Sequence, residues 1–143
     1  MDSAIPHALQ EIVDEFGWCE GQEKLELLIQ YAEKLPALPA WLHEDRAGMD
    51  QVQECMTPVF VQAEAESGKM RFHFDVPAES PLVRGFAALM KQGLDGSTPE
   101  EILKVPGDFY QEMGLQQVLS FQRLNGLAAL LAHMKRLATA SIT

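Results

Sequence analysis

Basic residues are scarce in this chain. Eleven lysines and arginines stand against 21 aspartates and glutamates, a formal net charge of −10 over 143 residues. So few cations argue against sequence-independent binding to nucleic acid, where lysine and arginine must neutralise phosphates. There is no polybasic patch to hold an anionic membrane surface. Cysteine is scarcer still: Cys19 and Cys55 are the only two. They lie too far apart for a C-x-x-C redox pair, and with the scattered His7, His43, His73 and His133 they make no metal-ligand spacing. Long apolar runs are also missing, and nothing approaches the roughly 20 residues needed to span a bilayer. Asp2, Glu11, Asp14 and Glu15 occupy the N-terminal stretch, where a signal peptide would have a basic start and an apolar core. No targeting segment is evident, and the expected location is the cytoplasm. A structural disulfide is not expected in that reducing compartment.

What is plentiful is apolar side chain, 47% of the residues, enough for one packed core. The length suits a single domain over residues 1–143. The acidic surplus reads either as plain solubility or as steering toward a basic partner.

Helical spacing of Ile5, Leu9, Ile12, Val13 and Phe16 predicts a first helix over residues 3–16, with Pro6 in its first turn and Gly17 as its stop. A second helix is expected over 21–35, with Leu25, Leu28, Ala32 and Leu35 as its stripe; Pro36 and Pro39 end it. Residues 36–54 read as a long loop. The period then switches to two. The runs 59–64 and 70–74, joined by a turn at 67–69, predict a hairpin with one covered face. Helical spacing returns over 80–92, and Thr98, Pro99 and Glu101 form a helix start with a capping box. Further helices are expected to about 104, over 108–113 and over 120–138. The order predicts an α+β fold: a small antiparallel sheet, the hairpin plus a possible third strand, packed against helices in a single domain.

Cys55 best combines position with chemistry. It lies at a loop-to-strand junction, in Val52–Gln53–Glu54–Cys55–Met56–Thr57–Pro58–Val59–Phe60. A nucleophilic thiol needs access and a nearby charge that favours the thiolate. Glu54 works against that, so a cation must come from elsewhere in the fold, with Arg123 the first candidate and Arg84 a weaker one. From the residues alone, Cys55 reads more readily as a small buried hydrophobe, as most free cysteines are. Cys19 reads as a packed thiol, with a resolving role toward Cys55 as the alternative. The His43–Glu44–Asp45 run reads as solvated loop charge rather than a weak metal site. Asn125–Gly126 reads as a place of close helix packing.

Five blocks in order carry a resemblance. They are Trp18 with Leu35–Pro36–Ala37–Leu38–Pro39, the Cys55 block, Leu82–Val83–Arg84–Gly85–Phe86, Thr98–Pro99–Glu100–Glu101–Ile102–Leu103, and Gly114–Leu115 with Leu119–Ser120–Phe121–Gln122–Arg123–Leu124–Asn125–Gly126–Leu127. The chain resembles SufE-type (SufE/CsdE-like) sulfur acceptors of iron–sulfur cluster assembly. It departs from them chiefly around the cysteine. Glu54 replaces a usual glycine, Thr57 a serine and Phe60 a tryptophan, and Ala78–Glu79 stands where Ser–Asp is usual.

The resemblance implies a sulfur-transfer protein that is not itself an enzyme. Cys55 would accept a persulfide sulfur from a pyridoxal-phosphate cysteine desulfurase, stimulate that enzyme, and pass sulfur to an iron–sulfur scaffold complex. It implies no cofactor or metal bound by this chain, and no nucleic-acid or membrane partner. Arg123 would be a cation near Cys55 or a contact to the desulfurase, with Arg84 following the same logic. An apolar cover from Met56, Phe60 or neighbours would shield the persulfide from oxidation. Two other functions remain open: a stand-alone thiol redox enzyme, and a desulfurase-binding module with an inert cysteine.

Overall fold

Leu9, Ile12, Val13 and Phe16 all turn to one side of helix α1 (His7–Trp18) and are buried there. The computed structural model describes residues 5–44 and 48–141, with the side chains of 43 and 44 undescribed. The expected helix start at Ser3 therefore lies outside the described residues. Pro6 sits at the N-cap rather than within the first turn. The helix runs through Gly17 to Trp18, and the break comes at Gly21, whose φ of 50° suits glycine.

Helix α2 (Gln22–Ala32) follows, buried at Leu28, Tyr31 and Ala32. It also buries Lys24, which sequence pattern assigns to the surface. Its Nζ donates to the carbonyl oxygens of Phe16 at 2.6 Å and Met113 at 2.9 Å. The ammonium thus adds a second donor to the Phe16 carbonyl, which also accepts from the Cys19 N–H, and ties the end of α1 to the segment before Gly114.

The expected loop over 36–54 contains two elements, α3 (Ala40–Glu44) and β1 (Asp50–Gln51). Leu42 of α3 is fully buried, and the Trp41 ring meets His73 edge-on at 5.8 Å. Both elements are too short to leave a periodic signal.

The hairpin forms as expected from β2 (Phe60–Glu66) and β3 (Lys69–Asp75), with Val61 opposite Phe74 and Glu66 opposite Lys69. That register leaves Ser67–Gly68 as a two-residue turn, with φ of 54° and 81°. β1 adds the third strand on the other side of β2, antiparallel, with Asp50 opposite Val61. Met70, Phe72 and Phe74 point into the core, but His73 is covered too, because α3 lies over it.

Helix α4 (Pro81–Leu94) packs closely on α2, and Gly85 is the reason it can. A Cβ at Gly85 would lie 2.1 Å from the Leu28 carbonyl oxygen. Helix α5 (Pro99–Leu103) begins with the expected capping box: Glu101 N–H donates to Thr98 Oγ1 at 3.2 Å, and Thr98 N–H to Glu101 Oε1 at 2.8 Å. Over 108–113 a single 3₁₀ turn, Phe109–Gln111, replaces the expected helix, and a second follows at Leu115–Gln117. Gly114, at a φ of 75°, separates the two. Helix α6 (Phe121–Ser141) closes the fold against β2, with Leu124, Leu127, Leu130, Leu131 and Met134 buried. Six helices and one antiparallel three-stranded sheet among the described residues make the α+β fold expected from the pattern.

Candidate functional site

Eight residues, 52–59, connect β1 to β2 across the surface of α6. The Val52 N–H donates to the Val59 carbonyl at 2.9 Å and closes the neck of this loop. The Cys55 N–H donates back to Val52 O at 3.3 Å, which places the cysteine at a tight turn. On one side Thr57 Oγ1 lies 3.1 Å from Ser80 Oγ at the N-cap of α4. On the other, Glu54 reaches His133 on α6.

Cys55 is half-buried, and its Sγ lies 3.7 Å from the Gly126 carbonyl oxygen. A thiol is a weak donor, so the contact orients the sulfur more than it binds it. Gly126 is the packing partner of the thiol itself: a Cβ there would stand 3.2 Å from Sγ. Beside the thiol is a cavity of about 320 Å³, walled by Met56, Leu82, Val83, Phe86, Leu119 and Leu127, with Arg123 on its lining.

This chamber holds the cysteine as a thiol. Burial pushes the Cys55 pKa up, and the Glu54 charge pushes it further the same way. Glu54 itself ionises more readily than usual, because its own backbone N–H and then His133 favour the carboxylate. The fold therefore shelters the sulfur, and burial and the Glu54 charge both disfavour its thiolate at this position.

Arg123, on the first turn of α6, lines the same cavity; its guanidinium is exposed and forms no hydrogen bond or ion pair among the described residues. Arg84 is not brought to the cavity. Its Nη1 donates to the Val76 carbonyl at 2.6 Å, binding α4 to the segment after β3. Met56 does line the cavity, whereas Phe60 stands outside it as the first residue of β2. Cys19 lines a different cleft with Lys24 and Gly114, its Sγ 3.5 Å from the Glu15 carbonyl. The side chains of His43–Glu44–Asp45 lie outside the described residues. Among the described residues no group of three or more His, Cys, Asp or Glu side chains could hold a metal ion. No described helix is long and apolar enough to cross a membrane.

Sequence reasoning missed His133, Asp50 and Arg136. Only His133 had a signal, its seven-residue spacing from Gly126, which puts both on one face of a helix; Asp50 and Arg136 had none. Two large apolar side chains near the site are unusually open: Met56 is 82% exposed, and Phe121, at the start of α6, is 85% exposed.

The family model described as "SufE: Fe-S metabolism associated domain" matches residues 10–138. An uncharacterised SufE-like protein of Mycobacterium tuberculosis is 44% identical over 135 residues, covering 94% of this chain and 93% of its own. The sulfur acceptor protein CsdE of Escherichia coli is 34% identical over 111 residues, covering 76% of this chain and 72% of its own. The solution structure of a hypothetical protein from Thermus thermophilus superposes with a TM-score of 0.85 at 35% identity, covering 96% of this chain and 98% of that one. A sheltered lone cysteine on a loop, an α+β frame around it and a family match spanning nearly the whole chain agree: the chain belongs to the SufE family.

Proposed function

We propose that this protein, read as one SufE-like domain over residues 1–143, is a sulfur acceptor acting in the cytoplasm, with Cys55 as its acceptor thiol. The observation that carries this reading is the half-buried Cys55 at a loop turn, beside an apolar cavity of about 320 Å³. The likeness to CsdE, itself named a sulfur acceptor, supports the same role.

The chemistry is a displacement at sulfur. The Cys55 thiolate attacks the outer sulfur of a cysteine persulfide on a pyridoxal-phosphate desulfurase. A new bond forms to that sulfur, the old sulfur–sulfur bond breaks, and the desulfurase cysteine leaves as its thiolate. Cys55 then carries the persulfide. By unloading the desulfurase it stimulates turnover, and it passes the sulfur to an iron–sulfur scaffold complex. The chain needs no cofactor of its own for this step. The apolar walls give the persulfide a place away from oxidants between partners. Arg123 at the cavity mouth suits a contact with the desulfurase or with the thiolate once the loop has moved.

A stand-alone thiol redox enzyme is the weaker reading, because Cys55 lies on the loop leading into β2 and not at a helix N-terminus, where such enzymes lower the thiol pKa. The test is intact mass after incubation with a cysteine desulfurase, cysteine and pyridoxal phosphate, without reductant. The mass of one sulfur atom should be gained by the Cys19→Ser variant and not by Cys55→Ser. A gain that survives in Cys55→Ser would remove Cys55 from the role.

A further inference from the structure

The Cys55 loop lies lengthwise along α6. Gly126 and His133 are seven residues apart, two turns and about 10 Å along the axis, on one face of the helix. Cys55 sits over the first, and two acidic residues of the loop and its stem sit over the second. His133 Nε2 lies 3.1 Å from Glu54 Oε1, and Nδ1 lies 2.6 Å from Asp50 Oδ2. Arg136, less than a turn further on, places Nη2 2.6 Å from the same Asp50 oxygen and 2.7 Å from Nδ1.

A carboxylate only accepts hydrogen bonds. The Glu54 contact is therefore donated by Nε2–H, whereas Nδ1 either donates to Asp50 or, without a proton, accepts from Arg136 Nη2, which also donates to Asp50. The charged groups facing the ring are Asp50 from β1, Glu54 from the loop and Arg136 from its own helix. The His133 side chain is 8% exposed but that of Glu54 is 49% exposed, so the pair sits at the edge of solvent, with its geometry fixed by the buried ring and its charge screened on the Glu54 side. Among the described residues, the side-chain hydrogen bond on the opposite side of the loop is the neutral Thr57–Ser80 hydroxyl pair.

We propose that Glu54 and His133 are positioning residues that latch the Cys55 loop onto α6: closed, the latch keeps the thiol turned in over Gly126, and open, it lets Cys55 reach a partner. Glu54, which stands where the resembling family usually has glycine, thus has a structural counterpart on α6. The meaning of the latch for sulfur transfer rests on the function proposed above. The latch itself does not, and its test uses no desulfurase.

The test is the rate of alkylation of Cys55 by iodoacetamide in the folded full chain, with Cys19→Ser as the background. His133→Ala opens the latch but leaves the Glu54 charge beside the thiol. Alkylation several-fold faster than in the background is the expected result. If His133 merely offset the Glu54 charge, its loss would disfavour the thiolate and slow the reaction, so an equal or slower rate overturns the latch. Glu54→Gly speeds alkylation on either account, which makes the double variant decisive for the pair. Glu54→Gly/His133→Ala should react no faster than Glu54→Gly, and additive effects would overturn a latch made by these two residues. Thermal melts confirm that each variant is folded at the assay temperature. Should His133→Ala unfold, His133→Phe applies the same test, since it keeps a ring in the slot and lacks both N–H groups.

Discussion

The sulfur of Cys55 rests 3.7 Å from the carbonyl oxygen of Gly126, and no side chain stands between the loop and the helix at that point. A glycine that costs α6 helix propensity is what lets the thiol lie against it. Gly126→Ala tests this directly. Alanine favours the helix by about 1 kcal/mol, while its Cβ would crowd Sγ at 3.2 Å. The two effects oppose, so the melting temperature should change little. The displaced cysteine should nevertheless be alkylated several-fold faster, as iodoacetamide kinetics beside a thermal melt would record.

The raised Cys55 pKa has a sign that can be checked. A thiol whose folded pKa lies above its unfolded value stabilises the fold below the unfolded pKa, and that contribution is lost as pH rises through the folded one. Stability should fall through the alkaline thiol range in the native chain, and Cys55→Ser should flatten that fall. Alkylation of Cys55 should rise with pH along a curve displaced to the alkaline side of a free thiol. Glu54→Gln removes the second cause of the shift and should move the curve back toward neutrality. Urea titrations and alkylation rates across pH would show both.

Arg123 is open on the cavity lining and unpaired among the described residues, so its replacement should not disturb the fold. Arg123→Ala should leave the melting temperature within experimental scatter, since exposed substitutions usually fall within about 0.5 kcal/mol. It should raise several-fold the concentration of this protein that half-saturates desulfurase stimulation. A titration of desulfurase turnover measures this, and unchanged half-saturation would remove Arg123 from the docking surface.

Gly85 concerns the frame rather than the site. A Cβ there would meet the Leu28 backbone oxygen at 2.1 Å, and backbone cannot swing aside as a side-chain tip can. Gly85→Ala should destabilise the fold by about 3 kcal/mol, the upper part of the range for overpacking. A lowered urea midpoint would show it.

The sequence by itself determined the elements whose signals are local. The stripes of α1, α4 and α6, the alternation of β2 and β3, and the Thr98–Glu101 capping box depend on spacing along the chain alone. The place of Cys55 on a loop just before a strand was also legible, because its block stands at a period change. Tertiary structure decided the rest. β1 has two residues and exists only because β2 offers it an edge. Lys24 is buried because two distant carbonyls, of Phe16 and Met113, converge on its ammonium. Arg84 was turned from the site by the Val76 carbonyl and Arg123 was left open on it, a difference no local pattern encodes. The contact of Cys55 with Gly126 and that of Glu54 with His133 join residues more than 70 positions apart. Such pairs carry no periodic signature, because their geometry is set by how a loop is laid across a helix rather than by the order of residues within either.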